Sequence, residues 1–403
     1  MDLDPAPSSP PTREKFLPVE LDELSSNLAA NFENKEALHF QSFCKLFTAL
    51  HRAKVADDLA DLKRCYREFD PDRHTVTAKQ CSAAERAVLR ERLRPQLLEL
   101  LRQSNYEEIG PEELQAALNK TSPRGLEVAV DLNEFHELGL HYRGMETRVD
   151  EVRDWRKLYL YKRQFETPVY KRLFLFFQFR ERDDGNGNNT EHHRSDYLFL
   201  KSFRDVPQSD LEMLLPNTKV RMRILDKIKI GVTGGGGTVG GVMATITKIG
   251  AAANPFTWAI AIAGLAGIIW RQISKVFVQR TRYMADLAQQ LYFCNLDNNF
   301  GALVHLSDLA HDEEAKEALL AYAYLAKSEN GLTQQQLDQQ VEKHLADTYQ
   351  VDVDYEVEDG VGKLLRAGLV QQIAPDRYGV TAPVDAIAQL DIEWDNMFHP
   401  VSE

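Results

Sequence analysis

Residues 230–270 read IGVTGGGGTVGGVMATITKIGAAANPFTWAIAIAGLAGIIW and hold one ionisable side chain, Lys248. Before it, Ile230–Thr247 runs 18 uncharged residues; after it, Ile249–Trp270 runs 22. A helix needs roughly 20 apolar residues to cross the hydrocarbon core of a bilayer. The two runs are therefore expected to form a tight membrane hairpin over residues 228–271. The fold expected for the whole chain follows: α+β, with a helical N-terminal region, a small α+β region, a two-helix transmembrane hairpin and a C-terminal winged-helix-like module. The alternative is an apolar hairpin buried in a soluble domain or an oligomer interface.

Small residues shape the hairpin. Gly236 with Gly240, and Gly237 with Gly241, are GxxxG pairs, and Ala259, Ala261, Ala263 and Gly264 are small residues of the second run. In lipid such faces let helix backbones approach closely, so these glycines are expected to pack the two spans together or to pair two copies of the chain. Glycine lowers helix propensity, so the first span is expected to insert together with the second. Asn254-Pro255 is expected at the turn or at the start of span two. The glycine run also invites a phosphate-loop reading. That motif needs Gly-Lys-Ser/Thr, so that lysine meets phosphate and the hydroxyl meets Mg²⁺. Here Val242 follows Gly241, and no lysine appears before Lys248. No nucleotide or other cofactor is expected.

Charge sets the topology. Lys219, Arg221, Arg223, Lys227 and Lys229 precede the hairpin; Arg271 and Lys275 follow it, with Arg280 and Arg282 beyond. Positive residues stay on the cytoplasmic side, so both long arms are expected there, or on the matrix side in a mitochondrion. The chain has 403 residues, a net charge of -13 and 43% hydrophobic residues. Its mean hydropathy of -0.40 excludes a polytopic transporter. From His311 to Glu403 there are 19 acidic and 6 basic residues, leaving 42 of each sign elsewhere. The acidity thus belongs to the C-terminal module. The four cysteines, Cys44, Cys65, Cys81 and Cys294, have no CxxC or metal spacing, which fits a reducing compartment. The first 15 residues lack a basic segment followed by an apolar one and are expected to be a disordered arm rather than a secretory signal.

Along the chain, residues 16–124 are expected to be mainly helical. Leu21, Leu24 and Leu28, then Phe40, Phe43, Phe47 and Leu50, then Leu89, Leu93, Leu97, Leu100 and Leu101 each make an apolar stripe. Asp70-Pro71-Asp72 is expected as a solvated turn. In 125–218 the period falls to two, and Tyr170–Arg180 (YKRLFLFFQFR) suits a strand buried on both faces. Ser209 and Glu212 form a capping-box pattern. His192 and His193, being adjacent, do not make a metal site, and Asn188-Asn189-Thr190 is a glycosylation sequon of consequence only outside the cytoplasm. A connecting helix is expected within 272–310. In 311–390 three helices, the second capped by Thr333, precede a short hairpin in the order of a winged helix, and 391–403 is a tail. Nucleic acid is not an expected partner, because a reader of phosphates needs bases.

Tyr66–Asp72 (YREFDPD), Tyr197–Pro216 (YLFLKSFRDVPQSDLEMLLP) and Leu291–Leu325 resemble the transmembrane protein 143-like family, which carries the domain of unknown function 3754. Lys201, Phe203, Pro207, Asp210 and Leu211 carry the most specific part. The resemblance implies two spans at the positions deduced above and supplies no activity and no catalytic residues. Animal members are linked with mitochondria; without a presequence here, a bacterial inner membrane is the favoured location.

The expected function is that of a membrane-anchored, non-enzymatic scaffold whose acidic end recruits a protein partner. The second expectation is a membrane-tethered enzyme or lipid-handling protein, with Asp131, Glu134, His136, Glu137, His141 and Arg143 as candidate site residues. A third is an oligomeric channel, which the absence of a polar face on either span disfavours.

Overall fold

The computed structural model describes residues 13–76, 81–119, 127–153, 162–181, 195–216, 219–221 and 292–397, with five single positions between 267 and 289. The chain opens with α1 (Leu21–Ala29), α2 (Asn34–Tyr66) and α3 (Ala83–Gln103). Ser82 and Glu85 cap α3 reciprocally, each side chain taking the other's backbone N–H. β1 (Glu107–Glu108), α4 (Pro111–Asn119), β2 (Glu127–Ala129), β3 (Phe135–Arg153), β4 (Lys162–Phe179) and β5 (Phe199–Pro207) follow, then a 3-10 turn (Gln208–Leu214), β6 (Lys219–Arg221) and β7 (Asn295–Asn298). The C-terminal part holds α5 (Asn299–Ala326), α6 (Gln334–Tyr349), α7 (Val357–Arg366), β8 (Val370–Ala374), β9 (Arg377–Val380) and α8 (Pro383–Met397).

The main sheet is antiparallel throughout, with strand order β1-β3-β4-β5-β7. β4 is its centre, and the apolar run of this strand is buried on both faces, as its composition anticipates. Phe174 and Phe176 face α3 and α5, while Leu173, Leu175 and Phe177 face α4 and the 3-10 turn. The β3–β4 ribbon continues to Arg153 opposite Lys162, beyond the last β4–β5 pair, Val169 opposite Pro207.

Helix α5 organises the packing. Its first half (Ala302, Leu303, Leu306, Ala310) lies in the core beneath the sheet with α3 and the end of α2. Its second half (Ala318–Ala323, Leu325) lies in another core with α1, the first half of α2, α6, α7 and α8. There Phe43 stacks on Tyr322 with ring centroids 4.0 Å apart. The segments 16–124 and 311–390 thus share one interior, and α8, which includes most of the expected tail, buries Ala386 and Leu390 in it. Thr333 caps α6 as expected, in a full capping box with Gln336. After α7 the β8–β9 hairpin is joined by Leu332, which exchanges backbone hydrogen bonds with Tyr378.

The α+β class stands. Among the described residues no helix is long and apolar enough to cross a membrane. Apart from Gly267 and Trp270, the stretch 230–270 lies outside the described residues, including Gly236, Gly237, Gly240, Gly241 and Gly264. So do Arg223, Lys227, Lys229, Arg271 and Lys275, and the segment with His192, His193 and the sequon. Lys219 and Arg221 are described as part of β6, whose backbone pairs with β2. Two local expectations are corrected. The turn after β5 starts at Gln208 with Pro207 before it and no side-chain cap, because proline presets the entry and Ser209 falls inside the turn. Asp70 is buried rather than solvated.

Candidate functional site

Three sites stand out, each built on α5. The first is the point where the chain leaves and rejoins the sheet. β5 runs out at Pro207, and β7 returns antiparallel to it, with Phe203 opposite Asn295 and Lys201 opposite Asn298. Both ends of segment 208–294 therefore lie at one end of one sheet edge. A polar node fixes the return. Asn299 takes the left-handed conformation (φ 48), which asparagine tolerates better than most residues. Its Oδ1 accepts from the Leu200 amide (3.1 Å) and from the Tyr66 hydroxyl (3.3 Å), and its Nδ2 donates to Asp72 (2.5 Å). The Tyr66 hydroxyl also donates to the Leu198 carbonyl (3.0 Å), and the Leu198 amide to the Phe69 carbonyl (2.9 Å). Asp70 accepts from the Asp72 amide (3.0 Å), and burial raises its carboxyl above the ordinary range. The stretches 66–72, 197–216 and 291–325 thus meet at one residue.

The second site is a knot of buried charge on the middle of α5. Glu313 is fully buried and accepts from Arg143 Nη2 (2.7 Å), Lys316 Nζ (3.0 Å) and the Leu17 amide (2.8 Å). One turn later Glu317 accepts from Asn105 (3.0 Å) and Lys363 (2.5 Å). Burial pushes the Glu317 carboxyl up, against the pull of Lys363 and Asn105. Buried charges persist only when paired and hydrogen-bonded, and these are. The knot joins β3, α5, α7 and an N-terminal strap. In the strap Phe16 lies over the Arg143 guanidinium at 4.4 Å, Lys171 holds Glu14 at 2.6 Å, and Glu14 bridges Val353. Gly144, at φ +75, gives it room, since a Cβ there would come within 2.5 Å of the Glu14 carboxylate. Residues 13–15, part of the expected disordered arm, are thus placed.

The third site is a cleft of about 650 Å³ between α2, α3, α5, α7 and α8. Its polar floor carries His51, Ser307, Glu314 and Lys363, and its walls include Phe47, Leu50, Leu62 and Leu390. His51 Nε2 lies 3.2 Å from Glu314, and Lys363 lies 3.7 Å from the same carboxylate. Burial works to raise the Glu314 carboxyl, but His51 and Lys363 outweigh it and hold the pKa below the ordinary value. His311 stacks on His51 at 5.1 Å. Burial, helped by His51 and Arg52, lowers its pKa to about 4, so it is neutral at physiological pH. The floor can bind a polar group and move a proton between imidazole and carboxylate. Among the described residues no group of three or more His, Cys, Asp or Glu side chains is placed to hold a metal ion. Cys44 is no nucleophile, since burial raises its thiol to about 12.

The candidate residues drawn from β3 and the turn before it do not converge. Asp131 is exposed and accepts from the Asn133 amide; His136 is exposed; Glu134 is half-buried. Glu137 pairs with Arg94 at 3.1 Å, and His141 lies against the Phe176 ring, where burial lowers its pKa. Arg143 reaches the Glu313 knot. Sequence reading missed His51, Glu314 and Lys363, which come from three helices far apart in the chain. The available signal was the run HDEEAKE (311–317) set inside the otherwise apolar helix α5.

Residues 170–301 match the family described as "Protein of unknown function (DUF3754)". The match runs from β4 through the junction to the first turn of α5. No solved structure matches the chain.

Proposed function

We propose that this protein is a membrane-anchored scaffold, held by a two-span hairpin over residues 228–271 with both soluble arms on the cytoplasmic side. The observation that carries the reading is the β5–β7 junction. The chain is still paired with β2 at Arg221 and is paired with β5 again from Asn295, so the segment between leaves and rejoins the same folded region, which suits an even number of crossings. The two uncharged runs have the length for two, and Lys219, Arg221, Arg223, Lys227, Lys229, Arg271 and Lys275 flank them on one side. The resemblance to the transmembrane protein 143-like family supports the same arrangement. The bacterial inner membrane is the favoured location, or a mitochondrial membrane in a eukaryote. Gly236, Gly237, Gly240, Gly241 and Gly264 serve packing within the hairpin or between two copies. The acidic surface of 311–397 receives a basic protein partner. Carbonate extraction of membranes from cells expressing the full chain tests the anchor. The wild type should stay in the pellet and a deletion of Ile230–Trp270 should not; release of the wild type would sink the reading.

A second reading is favoured by the cleft: a membrane-tethered enzyme or lipid-handling protein, with the site moved from the α+β region to His51, Glu314 and Lys363. Its walls are apolar, its floor is ionic, and its volume is that of a small-molecule site. Lipid extracts of the purified protein, compared with those of His51→Ala and Lys363→Met, test it. A co-purifying lipid lost in both variants is the expected result, and identical extracts would count against it.

A further inference from the structure

We propose that the groove beside the β5–β7 junction is a docking patch for the anionic surface of a phospholipid bilayer; this rests on, and sharpens, the membrane-anchor reading. The groove has a volume of about 610 Å³ and is lined by Lys201, Arg204, Leu214, Tyr292 and Phe293. Tyr292 and Phe293 are large aromatic side chains left open to solvent, 78% and 59% exposed, and they meet edge to face with centroids 5.5 Å apart. Paired solvent-exposed aromatics mark an interaction surface, and rings with a polar end settle at the headgroup level of a membrane. Arg204 is exposed; its Nε donates to the Phe293 carbonyl (3.4 Å), which holds the cation beside the two rings. Lys201 Nζ donates to the neutral Asn298 amide oxygen (3.4 Å). Among the described residues neither cation is in an ion pair. The adjacent carboxylate of Asp205 is already held by Arg148 at 3.0 Å.

Position selects the occupant. The patch includes Tyr292 and Phe293, where the continuously described chain resumes after the apolar stretch 230–270. The bases of 219–229 and 271–282 accumulate on the same two flanks. Exposed aromatics beside two cations that form no ion pair among the described residues fit an anionic lipid surface, to which Lys and Arg near the headgroups are attracted. An acidic protein would satisfy the cations but would not account for the exposed aromatic pair where the chain resumes after the apolar stretch.

The test uses the full-length protein in vesicles of phosphatidylcholine alone and of phosphatidylcholine with phosphatidylglycerol. Amide hydrogen exchange is read over residues 199–207 and 292–298, and carbonate extraction is run on the same samples. Exchange is expected to slow by about tenfold or more when phosphatidylglycerol is present, following the contribution of two cations. Lys201→Gln/Arg204→Gln should abolish that dependence, and so should Tyr292→Ser/Phe293→Ser in large part. A thermal melt of each variant establishes that it is folded. Equal exchange of the wild type in the two vesicles, with the protein resistant to carbonate, overturns the patch and leaves the anchor standing. Headgroup-dependent exchange in a protein that carbonate extracts keeps the patch and overturns the hairpin.

Discussion

Arg143 is the residue on which the interior charge balance turns. It reaches from β3 into the space between α5 and the N-terminal strap, bonds Glu313 and lies under the Phe16 ring. Truncating one partner of a buried ion pair leaves the other charge uncompensated, at about 3–5 kcal/mol. Lys316 and the Leu17 amide still serve Glu313, so Arg143→Met is expected at the lower end, about 3 kcal/mol, by urea denaturation in mild detergent. Glu212 gives a pH dependence. It is buried beside Asp210, and burial first, then the Asp210 charge, raise its pKa to about 7. A carboxyl whose folded pKa exceeds its unfolded value of 4.5 is held protonated by folding. Between pH 4.5 and 7 the unfolded state ionises first, so this group's contribution to stability falls as pH rises through that window and is flat above it. Glu212→Gln is therefore expected to gain melting temperature over wild type at pH 8 relative to pH 5. The same difference at both pH values would refute the assignment.

At the scale of elements, α7 carries two glycines with opposite expected effects. In an open helix Gly→Ala gains about 1 kcal/mol. Gly362 meets nothing nearer than 3.7 Å, and that is the end of the flexible Arg366 side chain, so Gly362→Ala should stabilise by about that amount. Gly360 faces α5: a Cβ there would lie 2.4 Å from the Tyr355 hydroxyl and 2.9 Å from the Glu317 carbonyl oxygen, a backbone atom that cannot step aside. Gly360→Ala should therefore destabilise, by about 1–3 kcal/mol, as overpacking does; thermal melts of the two variants side by side read the sign of each. These elements also show what was legible in the sequence. The apolar run of β4, the leucine stripes of α1 and α3 and the Thr333 cap are local patterns, and each appears where its pattern places it. What was not legible was non-local. The stripe Phe40, Phe43, Phe47 fixes a buried face but does not name its partner, which is Tyr322, nearly 300 positions on. Asp70 reads as a turn residue because the node beside it is assembled from Tyr66, Leu198, Leu200 and Asn299, which lie far apart in the chain. The candidate cluster on β3 failed for a related reason: Glu137, His141 and Arg143 share one face of the strand, but each is taken by a different non-local partner, Arg94, the Phe176 ring and Glu313.

For the whole molecule, α5 decides whether the arms before and after the apolar stretch are two modules or one. Its first half is buried against the sheet and α3; its second half is buried against α1, α2, α6, α7 and α8. A 28-residue helix that fills two cores, with the Glu313 and Glu317 knot between them, passes any loss of order in one to the other. Two separable domains would instead melt separately, since interfaces between domains are normally smaller and more polar than cores. The described body is therefore expected to unfold in one cooperative transition. Leu345→Ala gives the decisive measurement. Leu345 is fully buried in the core of α6 and lies far along the chain from the sheet. Emptying its site should cost about 2–5 kcal/mol. If the body is one unit, amide exchange at β4, in the other core, accelerates in step with exchange at α6, and a single calorimetric peak moves to lower temperature. If the arms are independent, α6 loosens while β4 keeps its protection and a second peak separates from the first. The same coupling means that removing His311–Glu403 takes half of α5 from beneath the N-terminal helices. A partner lost by that truncation therefore reports unfolding, and charge reversal at exposed acids, Asp352 and Asp376 among them, is the informative way to map the acidic face.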